Sequence, residues 1–216
     1  MKRYAQRCPA ARALDVIGER WTLLIVRELL LGPRRYTDLA AGLPGIASNV
    51  LTDRLGALLE RGVLTRQTVG PPTPATVYEL TEAGRALGPV LRELRHWGQT
   101  HGPRPEPGDA VRPGWILASL VDRPPGLPAG RSCAVQVGSE TFTLTGTDNG
   151  LDVHSGPATN SDTTLTLDQQ SLARLAGAGL STSAAETQAT ISGDRRLARL
   201  VLATIEGCAS KPGVSR

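Results

Sequence analysis

Residues 36–62, YTDLAAGLPGIASNVLTDRLGALLERG, hold two helical segments separated by a helix-breaking turn. Tyr36–Ala41 is predicted to form a short helix, which the Leu-Pro-Gly sequence at 43–45 ends because proline and glycine favour turns. A longer helix, Ala47–Arg61, follows, with leucines at helical spacing at 51, 55, 58 and 59 and Gly62 as its C′ residue. This stretch predicts a helix-turn-helix.

The flanking segments extend this motif into a domain. Upstream, Pro9–Ile17 and Trp21–Leu31 are predicted helices, and the Gly-Pro sequence at 32–33 ends the second one. Downstream, Val63–Val69 and Thr76–Leu80 are predicted strands of a hairpin with a proline-rich tip, and a last helix extends from residue 81 to about residue 98. This order of elements is typical of a winged helix-turn-helix domain.

The second helix of such a turn pair lies in the major groove of DNA. The leucine phase leaves Ser48, Asn49 and Thr52 on its exposed side, where they can exchange hydrogen bonds with base edges. Together with Arg54 they form the predicted groove-facing set. The predicted contacts to the DNA backbone are Arg34, Arg35 and Arg66.

Each of these residues also has a structural interpretation. Ser48 and Asn49 can simply cap the helix, and the arginines can be solvated charges of a helix or a loop. The charge balance favours DNA binding. Residues 1–104 carry 15 Lys and Arg against 9 Asp and Glu, whereas residues 105–216 carry 9 against 11.

The change in charge coincides with a proline-rich segment, which predicts two domains. His101–Asp109 contains three prolines and two glycines and excludes a regular element. We therefore predict a first domain at 1–100, a linker at 101–112, a second domain at 113–207 and a flexible tail at 208–216.

The second domain is predicted to be a small α+β domain. A helix at 114–121 precedes an antiparallel meander, and Asp168 caps a helix that continues to Leu175. A strand at 187–192 and an amphipathic helix at 195–205 complete it. The predicted strands of the meander are Ser132–Val137, Glu140–Thr145, Gly150–His154 and Thr163–Leu167.

Six stretches resemble the HxlR family of bacterial regulators: CP at 8–9, LDVIGERWTLLI at 14–25, GPRRY at 32–36, LPGI at 43–46, LTDRL at 51–55 and YELTEAGR at 78–85. The resemblance implies a transcriptional regulator that binds double-stranded DNA as a homodimer on a palindromic operator. It places the dimer contacts around Ala11–Ile17 and Leu87–Trp97. Two departures are a wing tip at 71–74 without Lys or Arg, and Ala47, where a capping Ser is usual. Ser48 is expected to take the capping role.

Some members of this family sense oxidants or electrophiles through a cysteine near the position of Cys8. Cys8 precedes a predicted helix start and follows Arg7, surroundings that favour a reactive cysteine. The resemblance therefore makes Cys8 a candidate redox sensor, and the alternative is a cysteine kept for packing or dimer contacts. Cys133 and Cys208 are interpreted as filler, one on a strand and one in the tail.

The second domain resembles the sterol-carrier-protein type, through TLTLD at 164–168, the leucines at 172 and 175, and ATISGD at 189–194 before the last helix. The resemblance implies an apolar tunnel between the sheet and the helices. An apolar small molecule bound there would tune the affinity for DNA. The alternative is a filled interior with a supporting role in the dimer.

Other classes of protein have little support in the sequence. No nucleophile, phosphate-binding or zinc spacing is present, so we expect no enzyme, cofactor or metal site, and we interpret Asp152, His154 and Asp162 as surface residues. The lack of a long apolar segment and of a signal sequence predicts a cytoplasmic protein without membrane contact. The alternative function is a lipid-binding or small-molecule-binding protein whose winged-helix part serves mainly for dimerisation.

Overall fold

A computed structural model of the chain describes residues 3–70, 75–106, 108–121, 123 and 126–208. The chain divides into two compact units, Met1–Gly88 and Pro89–Arg216. This division lies before the predicted linker, because the last helix of the predicted first domain belongs to the second unit. Arg95 of that helix interacts with Cys208 near the other end of the unit.

The first unit consists of short helices followed by a two-stranded hairpin. Its helices and strands are α1 (Pro9–Ile17), α2 (Thr22–Leu29), β1 (Arg34–Arg35), α3 (Tyr36–Gly42), α4 (Ser48–Glu60), β2 (Leu64–Val69), β3 (Ala75–Leu80) and α5 (Glu82–Arg85). The predicted order of the first four helices and of the two hairpin strands is confirmed. The predicted single helix at 81–98 is two helices, because Pro89 has no N–H to bond to the carbonyl of Arg85 and suits the first turn of a new helix.

The core of the first unit is built mainly from leucine and isoleucine. Ile25 of α2, Leu39 of α3 and Leu51 and Leu55 of α4 are almost completely buried. Burying each such side chain contributes about 1.5–3 kcal/mol relative to leaving it exposed. Gly62 follows α4 with a φ of 67°, a left-handed conformation that glycine adopts without strain, and this confirms the predicted helix end.

A three-stranded antiparallel sheet with the order β1-β3-β2 completes the first unit. The sequence did not predict the short strand β1. It is a strand because Arg34 and Arg35 pair with Tyr78 and Val77 of β3.

The second unit combines a five-stranded sheet with helices, which confirms the mixed α+β class. Its elements are α6 (Gly88–His101), α7 (Pro113–Leu117), a 3-10 helix (Ala118–Leu120), β4 (Ser132–Val137), β5 (Glu140–Thr147), β6 (Gly150–Ser155), β7 (Thr163–Leu167), α8 (Gln169–Ala176), α9 (Thr182–Gln188), β8 (Thr190–Gly193) and α10 (Arg195–Glu206). The sequence did not predict α9, although Ser181 caps it by accepting from the N–H of Ala184.

The strand order β6-β5-β4-β7-β8 corrects the predicted meander. β7 does not continue from β6 but pairs with β4 in parallel. Asp162, the residue before β7, accepts a 2.7 Å hydrogen bond from the N–H of Ser132, the first residue of β4. Because this contact joins the starts of the two strands, they run in the same direction.

The step from β8 to α10 depends on a glycine. Gly193 has a φ of 96°, and a Cβ atom there would lie 2.5 Å from the carbonyl oxygen of Asp162. Asp194 then caps α10 by accepting from the N–H groups of Arg196 and Leu197. The predicted helix start is thus confirmed. The fully buried side chains of this unit include Phe142, Leu144, Leu165, Leu172 and Val201.

Candidate nucleic-acid interface

The first two turns of α4 carry the polar residues that the sequence predicts for base contact. Leu51 and Leu55 are buried against the core. The helical phase therefore places Ser48, Asn49 and Thr52 on the other side, where all three are exposed. The predicted exposure is confirmed, and their contact with DNA stays a prediction.

The N-terminus of α4 has no side-chain cap. Its N-cap residue is Ala47, and among the described residues no side chain accepts a hydrogen bond from the N–H groups of the first turn. The expectation that Ser48 caps this helix is wrong, because Ser48 is its first helical residue. The unbonded N–H groups and the positive end of the helix dipole suit an anionic oxygen, such as that of a phosphate.

The carbonyl oxygen of Ser48 fixes the geometry of this end of α4. It accepts 2.9 Å hydrogen bonds from the hydroxyl group of Tyr36 and from the Oγ1 atom of Thr52. Tyr36 is the first residue of α3, so its hydrogen bond links the two helices of the turn pair. The proton of Thr52 is used inside α4, which leaves its oxygen as an acceptor for a donor outside.

Arg54 is engaged within the protein. Its Nη2 atom lies 2.9 Å from the Oε2 atom of Glu19, and its Nε atom donates to the carbonyl oxygen of Arg20 at 3.3 Å. Both partners belong to the segment between α1 and α2. Arg54 therefore ties the middle of α4 to this segment, and its predicted place in the groove-facing set stays a prediction.

The segment that receives Arg54 has an unusual backbone. Trp21, the residue before α2, has a φ of 78°, which costs about 1–3 kcal/mol for a residue other than glycine. The guanidinium carbon of Arg20 lies 5.4 Å from the centroid of the Trp21 ring, a cation–π distance. Such a conformation persists only where its surroundings fix it, and the hydrogen bond from Arg54 is one such contact.

The three-stranded sheet brings two of the predicted backbone contacts together. Arg34 of β1 and Arg66 of β2 both pair with Tyr78 of β3, one on each side. Directly paired residues project from the same face of a sheet. Arg34, Tyr78 and Arg66 therefore form a row across one face, with the tyrosine between the two arginines.

The other arginine predicted to contact the DNA backbone is Arg35, the N-cap residue of α3. The side chain of Arg35 is exposed, and its backbone N–H donates to the carboxylate of Asp38 at 3.1 Å. The Nε atom of Arg34, by contrast, is buried without a hydrogen-bond partner among the described residues. The wing tip at 71–74 lies outside the described residues.

Sequence reasoning missed three residues that organise this surface: Glu19, Tyr36 and Tyr78. All three lie within stretches that resemble the family, which is the signal that marked them. The sequence could not assign their contacts, because their partners lie on other elements.

The three cysteines have different surroundings. Cys8 is exposed and occupies the N-cap position of α1. Cys133 is buried in β4, and burial raises the pKa of its thiol to about 12. Cys208, interpreted as filler in the tail, is buried just after α10, where its sulfur accepts hydrogen bonds from the Arg123 guanidinium and the Ser119 hydroxyl group.

The described residues offer no alternative site of a familiar kind. They contain no group of three or more His, Cys, Asp or Glu that could hold a metal ion. Asp152 and His154 form an exposed pair at 2.8 Å. Among the helices of the described ranges, none has the length and hydropathy needed to span a membrane.

Comparison with known proteins concerns the first half of the chain. The model of the family described as "HxlR-like helix-turn-helix" matches residues 16–106. The uncharacterized HTH-type transcriptional regulator YvaP of Bacillus subtilis is 39% identical over 95 residues, which are 43% of this chain and 87% of that protein. The HTH-type transcriptional regulator YodB of the same species is 37% identical over 106 residues, 48% of this chain and 91% of that protein.

A third relative is longer than the matched region. An uncharacterized HTH-type transcriptional regulator of Mycobacterium tuberculosis is 45% identical over 95 residues, which are 44% of this chain and 60% of that protein. The family match ends at residue 106 and so leaves most of the second unit without an assignment.

Proposed function

Because the chain belongs to the HxlR-like helix-turn-helix family, whose relatives are named as transcriptional regulators, we propose that α4 of this chain binds in the major groove of double-stranded DNA. The observation that carries this proposal is the uncapped, exposed start of α4 with Ser48, Asn49 and Thr52. Asn49 can pair bidentately with adenine, and the two hydroxyl groups can accept from base donors.

We propose that Arg34, Arg35 and Arg66 contact the DNA backbone. Their support is the position of Arg34 and Arg66 on one face of the sheet, beside Tyr78. Arg35 precedes α3, the first helix of the turn pair, where phosphate contacts are usual. The ion pair of Arg54 with Glu19 holds α4 against the segment between α1 and α2.

We propose that the regulator is a homodimer on a palindromic operator. The support is apolar surface on the two predicted dimer segments, each considered by itself. On α6, Val90, Leu94 and Trp97 follow helical spacing and are 44%, 49% and 59% exposed. On α1, Leu14 is 47% exposed. Half-sites one helical turn apart, about 34–36 Å, are expected for such a dimer.

Sedimentation of the wild type and of Leu94→Glu tests the dimer. A dimer that the charged variant dissociates supports the proposal. A wild-type monomer at micromolar concentration, or an unchanged dimer in the variant, contradicts it. His96→Glu, which adds the same charge at an exposed position of α6 that is not three or four residues from Val90, Leu94 or Trp97, is the matched control.

We propose that the second unit is a domain of the sterol-carrier-protein type and that it binds an apolar ligand. The element order supports it: a helix, three antiparallel strands, a parallel fourth strand, helices, a fifth strand and a last helix. Palmitate at excess should raise the melting temperature of the second unit if it binds the native state. If palmitate changes neither the melting temperature of the second unit nor the affinity for DNA, the unit has only a supporting role.

We also propose that Cys8 responds to electrophiles. Its support is exposure at the start of α1, next to Arg7. Treatment with N-ethylmaleimide should change DNA affinity in the wild type and leave Cys8→Ser unaffected. An equal response of both proteins would exclude Cys8.

The DNA-binding proposal is tested by fluorescence anisotropy with a labelled duplex from the gene's own upstream region, at about 0.15 M salt. Specific binding should be far tighter than the non-specific range of about 10⁻⁴–10⁻⁶ M. Equal affinity for this duplex and for a scrambled duplex of the same length contradicts the proposal. Footprinting then defines the operator and shows whether it is palindromic.

A further inference from the structure

A cleft of about 670 Å³ lies beside α1 in the first unit. Arg3, Arg12 and Arg61 line it, and they come from three segments: the N-terminal segment, α1 and the residue that ends α4. The one acidic residue of the lining is Asp15. Three arginines and one aspartate thus line the same cleft.

The charges of these arginines lack an acidic partner among the residues that the structure describes, since none of the three belongs to an ion pair there. The carboxylate of Asp15 is only 8% exposed and accepts a 2.8 Å hydrogen bond from the backbone N–H of Tyr4. A cleft lined by charges of one sign raises the local concentration of the opposite ion. The cleft therefore favours an anion.

The rest of the lining indicates what kind of anion fits. Ala13 and Val16 line the cleft from the same side of α1 as Arg12, since positions 12, 13 and 16 are neighbours on a helix surface. The occupant therefore meets apolar side chains as well as guanidinium groups. Guanidinium forks bind carboxylates and phosphates bidentately. A volume of this size falls in the range of about 300–1,000 Å³ that holds small organic ligands.

We infer that this cleft binds a small organic oxyanion, a carboxylate or phosphate attached to an apolar group. The bound anion contacts α1 and Arg61 at once and so links α1 to the C-terminal end of α4. Leu14, the exposed apolar residue that supports the dimer proposal on α1, lies on another side of this helix from Arg12 and Val16. The binding itself does not depend on the proposed DNA function, whereas an effect of the anion on DNA affinity rests on it.

Isothermal titration calorimetry of the full chain tests the site with three probes. Benzoate has the apolar ring and the oxyanion, benzyl alcohol has only the ring, and inorganic phosphate has only the oxyanion. Benzoate should bind most tightly. Arg12→Gln and Arg61→Gln should each weaken its binding about tenfold, because each removes a charge-assisted hydrogen-bond donor. Arg7→Gln, an exposed arginine outside the lining, is the matched control.

Several outcomes overturn the inference. No detectable binding of benzoate at millimolar concentration does so. Equal affinity of all variants and the wild type for benzoate also does so. The same holds for equal affinity of the wild type for benzoate and for benzyl alcohol. Circular dichroism of each variant confirms that the substitution has not unfolded the protein.

A second measurement distinguishes a free anion from a phosphate of bound DNA. Without benzoate, the salt dependence of DNA binding should be the same for the wild type, Arg12→Gln and Arg61→Gln. A slope of log K against log salt that is smaller by about 0.9 in either variant would assign that arginine to the DNA backbone and overturn the inference. Failure of the proposed DNA function would appear separately, as a wild-type protein that binds no DNA specifically.

Discussion

Removing the negative charge of Glu19 is expected to weaken DNA binding, although DNA is itself a polyanion. In Glu19→Gln the guanidinium of Arg54 loses the carboxylate oxygen that lies 2.9 Å from its Nη2 atom. Arg54 then no longer ties α4 to the segment between α1 and α2. The strained conformation of Trp21 loses part of its support, and the start of α4 becomes less well positioned for the groove.

The size of the effect follows from the exposure of the pair. The Arg54 and Glu19 side chains are 23% and 43% exposed, so solvent screens their attraction. Ion pairs of this kind contribute about 0.2–1 kcal/mol. The hydrogen bond from Arg54 to the Arg20 carbonyl places the contribution of Arg54 in the upper part of that range. If the whole contribution is needed to position α4, the affinity for the operator falls about two- to fivefold.

A double-mutant cycle on operator affinity is the measurement that checks this. Glu19→Gln, Arg54→Gln and the double variant should lose similar affinity, because the second substitution removes nothing that the first has left intact. The salt slope of all three should equal that of the wild type. Glu60→Gln removes the same charge from the exposed end of α4 and serves as the control.

The opposite result would refute this reasoning. If Arg54 contacts a phosphate, Glu19→Gln frees the guanidinium for DNA and raises the affinity. Arg54→Gln then lowers the salt slope by about 0.9, as expected for the loss of one phosphate contact. Either observation would support the predicted place of Arg54 in the groove-facing set and exclude its positioning role.

Four further predictions concern single residues. Asn49→Ala should cost about 1–3 kcal/mol of discrimination at one base pair, and a binding-site selection with an unchanged preferred sequence would exclude it from base contact. Arg66→Gln should weaken binding to every duplex alike and lower the salt slope by about 0.9, whereas an unchanged slope would place it outside the interface. Tyr36→Phe should lower both the melting temperature and the operator affinity at a constant salt slope, since it removes one hydrogen bond between α3 and α4. An unchanged affinity would show that this bond is dispensable. Asp168→Ala should lower the melting temperature of the second unit at pH 7. The side-chain hydrogen bond from Ser171, followed by that from its N–H, holds the pKa of Asp168 below its ordinary value of 3.8. The stabilisation is therefore present above that value and is lost as the pH falls through the lowered folded-state pKa. The melting temperatures of the variant and the wild type should converge in acid. A constant difference between them would contradict this assignment.

Local elements were predictable because their signals lie within a few residues. The limits of α1, β4 and β7 agree with the prediction, and Asp168 caps α8 as expected. Leucine spacing gave the correct phase of α4, and with it the exposure of Asn49. In each case the physical cause is an interaction between near neighbours or a simple preference for burial.

Pairings between distant segments were not predictable in this way. The parallel contact of β7 with β4 joins distant segments, as the hydrogen bond between Asp162 and Ser132, 30 residues apart, illustrates. The capping of α4 was predicted wrongly because a capping Ser48 requires a helix that begins at Asn49, whereas α4 begins at Ser48 itself. Cys208, interpreted as filler, is buried beside Arg123. The two residues are 85 positions apart, and no local sequence pattern links them.

The candidate interface therefore contains two kinds of residue that need different evidence. Residues such as Asn49 and Arg66 are identified by type and exposure, because a side chain that meets DNA must reach solvent first. Residues such as Tyr36 and Glu19 are identified only by their partners, and substituting them leaves every DNA-facing group in place. Both kinds change operator affinity, so affinity alone cannot assign a role. The salt slope does, because it falls when a phosphate contact is lost and stays constant when only the position of α4 changes.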